Sequence, residues 1–235
     1  MKFESITFTN FGYIDYTQNL LNSCSKNNVD LNLNVYTLDE ESTDYFQKRH
    51  DKVTELDSDF ELAKFLDHKS QEFGRLMIKK FESIHRSLIN NDYVLYVDGD
   101  ITIKFDFKDL ILNESKKNRL DILFQNDKNP KKPNQINVCA GFMLIKSNEK
   151  KIKFFDPNRL NIKKIINYRT HDQTHINRNL SKFKYRVLPL EKFPNGPYFY
   201  NNYKKLDPWI IHFNYVLGHE KKELMKKYNE WYLDF

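Results

Sequence analysis

Tyr93-Val94-Leu95-Tyr96-Val97-Asp98-Gly99-Asp100-Ile101 is the stretch on which the fold turns. Two readings compete for it. An Asp-Gly step between apolar runs is a strong hairpin signal, and Ile101-Thr102-Ile103-Lys104-Phe105 alternates well enough to be the return strand. Against that, Tyr93 to Val97 is continuously apolar, as suits a central strand buried on both faces. Such a strand places Asp98 and Asp100 at its carboxyl end, where open α/β sheets gather ligands. Residues two apart in an extended chain project to one side, so both carboxylates can converge on one hard cation. Gly99 permits close approach of backbone or ligand. Oxygen donors of this kind suit magnesium or manganese.

The flanking sequence favours the sheet. Gln71 to Ile89 reads as a helix with Phe73, Met77, Phe81, Ile84 and Leu88 as its apolar stripe. Arg75, Lys79, Glu82 and Arg86 form a second, charged stripe. This helix supplies the crossover into Tyr93–Val97. Upstream, Ser5–Thr9 reads as a strand, Asp15–Cys24 as a helix carrying Tyr16, Leu20, Leu21 and Cys24, and Leu31–Tyr36 as a second strand. That β-α-β opening predicts a parallel sheet. Leu120–Phe124 and Val138–Ile145 are further strand candidates, on either side of a polar loop at 126–134. With no internal repeat and no low-complexity linker, residues 1–235 read as a single α/β domain with a mostly parallel central sheet flanked by helices.

A chain of 235 residues can bury a sizeable core. Its net charge of +6 favours anionic partners. The charge is spread along the chain and no RNA-binding motif appears, so nucleic acid is not an expected partner. Cys24 and Cys139 are the two cysteines, far apart and in no metal spacing, which argues against a zinc site or a disulfide framework and fits a reducing compartment. Met1–Thr7 shows no secretory leader, and no window approaches the ~20 apolar residues of a membrane span. A soluble protein is expected, cytoplasmic or virus-encoded.

Two chemistries use an acidic pair in this position. Haloacid dehalogenase-type phosphatases carry Asp-x-Asp-x-Thr after an apolar strand, and Asp98-Gly99-Asp100-Ile101-Thr102 fits, with Asp98 as nucleophile. Their motif usually lies near the N-terminus, however, and needs a later Gly-Asp-x-x-x-Asp that is not found downstream. The alternative is the Asp-x-Asp of nucleotide-sugar glycosyltransferases, where a metal bridges a diphosphate. The C-terminal region suits the second chemistry. Trp209–Asn214 is a short apolar strand bearing His212, and Gly218 precedes a predicted helix from His219 to Leu233 whose apolar face is Leu224, Met225, Tyr228, Trp231 and Tyr232. Lys221 and Lys222 fall in its first turn, where cations oppose the helix dipole and a bound anion would relieve the conflict. Singly, each of these has a bland reading as a solvated lysine or a hydrogen-bonded histidine. Imidazole as a third metal ligand tilts the choice toward manganese.

Taken in order, the motifs resemble the GT-A fold nucleotide-diphospho-sugar transferases, close to the plant-type α-xylosyl/arabinosyl/galactosyl group and more distantly the glycogenin-like enzymes. The resemblance runs through Thr9-Asn10-Phe11-Gly12-Tyr13, Tyr36-Thr37-Leu38-Asp39, Gly74-Arg75-Leu76-Met77-Ile78-Lys79, Asp98-Gly99-Asp100, Cys139-Ala140-Gly141, His171-Asp172-Gln173, Phe193-Pro194-Asn195-Gly196 and His212 to Lys221. It implies a Rossmann-like GT-A domain and a metal-dependent transferase using a nucleotide-sugar donor, UDP-linked by family habit, with a sugar, glycan or glycoprotein acceptor. On that resemblance Asp98, Asp100 and His212 bind the metal. Thr9, Asn10, Tyr13 and Asp39 form the nucleoside pocket. Arg75 and Lys79 steady the acidic loop and donor, Gly99 lies against it, and Gly218 and Lys221 face the diphosphate. Asp172 and Gln173 face the donor sugar, and the resemblance implies retention of anomeric configuration. Many relatives have Asn where this chain has Cys139, which leaves the sugar open. A phosphatase, a nucleic-acid binder and a nucleotide-sugar binder without catalysis remain the competing classes.

Overall fold

Residues 93–97 form β4, the centre of a seven-stranded sheet in the computed structural model, which describes residues 1–56, 71–128, 136–161 and 172–233. The sequence expectations for His171, for the side chain of Phe73 and for loop residues 129–134 lie outside the described residues. In chain order the strands are β1 Phe3–Thr9, β2 Leu33–Thr37, β3 Val53–Glu55, β4 Tyr93–Val97, β5 Ile101–Ile103, β6 Ile122–Asn126, β7 Val138–Lys146, β8 Tyr185–Val187 and β9 Ile210–His212. The α-helices are α1 Ile14–Lys26, α2 Glu40–Gln47, α3 Gln71–Asn90, α4 Lys108–Asn118, α5 Glu149–Phe155, α6 Asp172–Arg178, α7 Gly196–Asn202 and α8 Gly218–Lys227.

The main sheet runs β3-β2-β1-β4-β7-β6-β8. Strands β3, β2, β1 and β4 are parallel, β7 is antiparallel to β4 and β6, and β8 is parallel to β6. The continuous apolar run of β4 has a direct physical reason. Val94 and Tyr96 enter the hydrophobic cluster that holds Met77, Phe81, Ile84 and Leu88 of α3, whereas Tyr93, Leu95 and Val97 enter the cluster on the other face with Leu20, Phe107 and Ile111. Period-2 alternation therefore feeds two cores, and a polar residue anywhere in β4 would be buried.

The hairpin reading of Asp98-Gly99-Asp100 is corrected. The chain does turn, with the Ile101 N–H donating to the Asp98 carbonyl at 3.2 Å. But β5 does not return along β4; it leaves the main sheet and pairs antiparallel with β9, Ile101 opposite His212. Two boundaries also move. The strand expected from Leu31 starts at Leu33, because Asn32 takes a left-handed φ of 51° and turns the chain first. The C-terminal helix ends at Lys227 rather than Leu233, with Asn229 at φ 58° breaking it. Trp231 and Tyr232 then pack outside the helix: Trp231 sits edge-on to Tyr16 at 5.9 Å, and Tyr232 donates its N–H to Asn19. Among the described residues no helix is long and apolar enough to cross a membrane.

Candidate functional site

The carboxyl ends of β1 and β4 open into a cleft, closed by the start of β7, the first turn of α6 and the segment between β9 and α8. Asp98 leaves β4 with its N–H donating to the Gly141 carbonyl of β7 at 2.7 Å. Asp100 follows two residues later, and the β5–β9 pairing carries His212 to it from the far end of the chain. His212 Nε2 lies 3.2 Å from Asp100 Oδ1 and 4.0 Å from Asp98 Oδ2. Asp98, Asp100 and His212 thus offer ligand atoms that all lie within 4.8 Å of one another.

Each ligand is held by a partner on its other side. Asp98 Oδ1 accepts from the Tyr96 hydroxyl at 2.6 Å and from Lys80 Nζ at 3.1 Å, which leaves Oδ2 turned to the shared centre. Asp100 Oδ2 accepts from Lys221, leaving Oδ1 toward His212. On His212, Nδ1 donates to Gln125 Oε1 at 2.7 Å. The amide orientation follows from its own partners, since Gln125 Nε2 donates to the carbonyls of Pro194 at 2.8 Å and Phe193 at 3.3 Å. With Nδ1 carrying the proton, a neutral imidazole presents its Nε2 lone pair to the carboxylates. Such outer partners fix the tautomer and ring orientation of a metal-binding histidine. Two carboxylate oxygens and one imidazole nitrogen fit a divalent cation of the magnesium–manganese type, and the nitrogen favours manganese.

The electrostatics agree with a site built for positive charge. Burial opposes ionisation of Asp100, but Lys221 and His212 outweigh it and hold its carboxyl well below the usual range. Burial pushes the His212 imidazolium down, yet the Asp100 carboxylate and the Cys139 sulfur outweigh it and hold the proton well above the ordinary histidine range. Without a cation, then, His212 carries its second proton between the two carboxylates. Its folded value lies above an unfolded value of about 6.5. The stability it contributes is therefore fully present below about pH 6.5 and is lost as the pH rises through the folded value. A cation at Nε2 must displace that proton. Manganese binding is expected to release protons and to weaken as the pH falls. Calorimetric titrations in buffers of different ionisation enthalpy check this, and release of no proton would remove His212 from the ligand set.

Lys80 is the residue that sequence reasoning missed. Lys79, expected at the acidic loop, pairs instead with Glu82 at 2.9 Å on the charged outer stripe of α3, and Arg86 joins the same carboxylate. The next residue points inward. Lys80 Nζ, with its side chain 3% exposed, lies 2.7 Å from Asp172 Oδ2, 3.1 Å from Asp98 Oδ1 and 4.4 Å from the centroid of the Tyr96 ring. Burial alone would strip its proton, but Asp172 and Asp98 outweigh it and raise its pKa. A signal existed: Lys80 is three residues past Met77 and four before Ile84, on the apolar stripe itself. A cation there requires buried partners.

The remaining expected residues divide. Thr9, Asn10, Tyr13, Gly99, Asp172, Gln173 and Lys221 line the cleft together with the three candidate ligands. Gly99 lies against α1, where a Cβ would stand 2.6 Å from Thr17 Oγ1. Among the described residues Asp39, Arg75, Lys79 and Gly218 do not line it. Asp39 N-caps α2, accepting from the Ser42 N–H at 2.8 Å, and takes the Phe11 N–H at 2.9 Å, so it shapes the loop after β1 from behind. Arg75 is exposed on α3. Gly218 opens α8 at φ 49° and its carbonyl accepts from the Tyr16 hydroxyl at 2.7 Å. Lys221 opposes the α8 dipole, as expected, but Asp100 offsets the conflict. Lys222 turns outward to Asp15 at 3.4 Å.

Asp127, just past β6, is a second residue the sequence did not flag. Its buried carboxylate accepts from Gln173 Nε2 at 2.8 Å, Asn137 Nδ2 at 3.0 Å, Asn195 Nδ2 at 3.1 Å, Asn214 Nδ2 at 3.4 Å and the Tyr215 hydroxyl at 2.7 Å. Gln173 Oε1 in turn accepts from the Ala140 N–H at 3.3 Å. This acceptor-only group gathers β7, α6, the start of α7 and the β9–α8 segment around one point, and it locks the amide of Gln173.

The phosphatase alternative fits this geometry poorly, because Asp98 is committed to Tyr96 and Lys80 on one oxygen and faces Asp100 and His212 with the other. Comparison with known proteins points the same way. The family model for nucleotide-diphospho-sugar transferases matches residues 28–225. A UDP-galactose:fucoside alpha-3-galactosyltransferase of Dictyostelium discoideum is 25% identical over 97% of this chain, which spans 43% of that relative's length. Among solved structures, the galactosyltransferase LgtC, in complex with donor and acceptor sugar analogs, superposes with a TM-score of 0.63 at 13% identity, covering 97% of this chain and 95% of that one. GlyE of Streptococcus pneumoniae TIGR4 gives a TM-score of 0.60 at 15% identity, over 100% of this chain and 61% of that one. These structural likenesses show the GT-A fold.

Proposed function

Because the chain belongs to the nucleotide-diphospho-sugar transferase family, we propose that it is a metal-dependent glycosyltransferase that moves a sugar from a UDP-sugar to a hydroxyl of a glycan acceptor with retention of configuration. The observation that carries this is the convergence of Asp98, Asp100 and His212 at the end of β4, each steadied from behind by Lys80, Lys221 or Gln125. A divalent cation held by these three residues would neutralise the charge that builds on a leaving diphosphate. Lys221 adds fixed positive potential on the same side of the cleft. Thr9, Asn10 and Tyr13 line the β1 end, where a nucleoside fits beside the diphosphate. Asp172 and Gln173 reach in from α6 and orient the donor sugar.

Retention is supported by what the cleft offers as a base. An inverting transfer needs a carboxylate available to take the acceptor proton. Asp172 is engaged by Lys80, and Asp127, buried behind the cleft, accepts from several donors at once. The other cleft carboxylates among the described residues, Asp98 and Asp100, belong to the candidate metal site. A galactose donor and a fucoside acceptor are the first pair to assay, by likeness to the Dictyostelium relative.

The test is thermal unfolding with UDP-, GDP- and CDP-sugars, each with and without manganese. A ligand of the native state at a hundredfold excess over its Kd adds about 2.7 kcal/mol. For a chain of this size that corresponds to an upward shift of roughly 5–10 °C in Tm. The expected result is a shift with UDP-sugars that requires manganese. A shift with another nucleotide class would reassign the donor, and none with any class would sink the proposal.

A further inference from the structure

Tyr215 combines properties that a packed or solvated tyrosine does not need. It stands at φ 67°, a left-handed conformation costly for a bulky side chain, yet 63% of its surface is exposed. Its hydroxyl is tied at 2.7 Å to the buried Asp127 carboxylate, so the ring is fixed rather than free to swing. It lines the cleft, and the neighbouring Leu217 is also 48% exposed there. The backbone thus accepts strain to hold a rigid aromatic face open to solvent at the site.

The order of strands says what that face meets. Across the sheet the sequence is β1, β4, β7, β6. The nucleoside residues lie at the end of β1 and the candidate metal ligands at the end of β4. Gln173 docks on Ala140 of β7, and Asp127, which holds Tyr215, follows β6. Neighbouring strands are about 4.8 Å apart, so β1 to β6 spans roughly 14 Å, the scale of a nucleotide-sugar laid across the strand ends. Tyr215, tied by its hydroxyl to Asp127, belongs to the β6 end of that row, the sugar side in this reading.

We propose that the exposed ring of Tyr215 is the platform on which a pyranose ring of the acceptor stacks, so that the acceptor is a glycan terminating in a pyranose with an apolar face. Aromatic rings bind such faces through area and CH–π contact, and anchored ones do so with little loss of freedom. The inference rests on the glycosyltransferase reading above, and its test separates the two.

Wild-type protein, Tyr215→Ala and Tyr215→Phe are each titrated with UDP and manganese, then, saturated with both, examined by saturation-transfer NMR with methyl α-L-fucopyranoside, methyl β-D-galactopyranoside, methyl β-D-glucopyranoside and the acyclic galactitol. At least one pyranoside is expected to bind the wild type while galactitol does not. Tyr215→Ala should weaken that binding about tenfold, and Tyr215→Phe, which keeps the ring, by less. UDP affinity should stay within about twofold in both variants. Failure of the wild type to bind UDP would overturn the donor reading and the platform with it. Normal UDP binding with no bound pyranoside, or with pyranoside binding unchanged in Tyr215→Ala, would overturn the platform alone.

Discussion

Asp98→Asn is expected to lower sugar transfer by about 10²–10³-fold, the scale seen when a preorganised charge-stabilising group is lost. The substitution preserves shape. It removes the negative charge from the candidate cation site, and the amide has no second oxygen to offer there. It is also the clean way to ask the question. Lys80 keeps Asp172 at 2.7 Å, so no buried ammonium is stranded, and the melting temperature should move little. Asp100→Asn is less clean. It takes the partner from Lys221, whose side chain is 11% exposed, and breaking one side of a buried pair costs about 3–5 kcal/mol. Initial rates and manganese affinity, measured beside thermal unfolding, check the prediction. Full turnover with unchanged manganese dependence would remove Asp98 from the site.

Gly141→Ala should do comparable damage through one methyl group. An added Cβ would stand 2.4 Å from Asp98 Oδ2 and 2.5 Å from His212 Cε1. Ordinary contacts of this kind are about 3.5–4.0 Å, so the two groups must retreat by an ångström or more. His212 cannot do so cheaply, being pinned to Gln125 and packed against Asp100. Misplacing a reacting constellation by about 1 Å costs on the order of 10²-fold in rate. Overpacking should also cost about 1–3 kcal/mol of stability. Manganese titration of the folded variant separates the two effects: weakened binding with the fold intact is the expected result, and wild-type affinity would show that the ligands have room the geometry does not suggest.

Much of this was legible in the chain because it rests on local pattern. The apolar run of β4 could feed two cores only as a central strand, and Asp98 and Asp100 follow from its direction. His212 was legible as a strand-end histidine, though what delivers it, the β5–β9 pairing, was hidden behind a strong hairpin signal. Periodicity misled where it outran its element: Trp231 and Tyr232 continue the α8 pattern past Asn229 but pack outside the helix. At α3 motif likeness points to Lys79, whereas the helical wheel sets Lys80 on the buried stripe, beside Asp98 and Asp172. Asp39 looked like a ligand-facing strand end and serves as a helix cap. Gln125 and Asp127 carried no usable signal. Polar residues at the end of a strand are ordinary, and their partners come from segments whose adjacency only the sheet order reveals.

The small β5–β9 sheet also governs when the protein becomes competent. One strand leaves the ribosome directly after the acidic pair, the other about a hundred residues later. Closing so long a loop is slow and entropically costly until the partner strand exists. A nascent or truncated chain can assemble much of the main sheet while lacking the imidazole and the Lys221 ammonium. Such a fragment keeps Asp98 on Tyr96 and Lys80 but leaves Asp100 without His212 and Lys221, so the candidate cation site is incomplete in it. The three candidate ligands come together only when β9 pairs with β5.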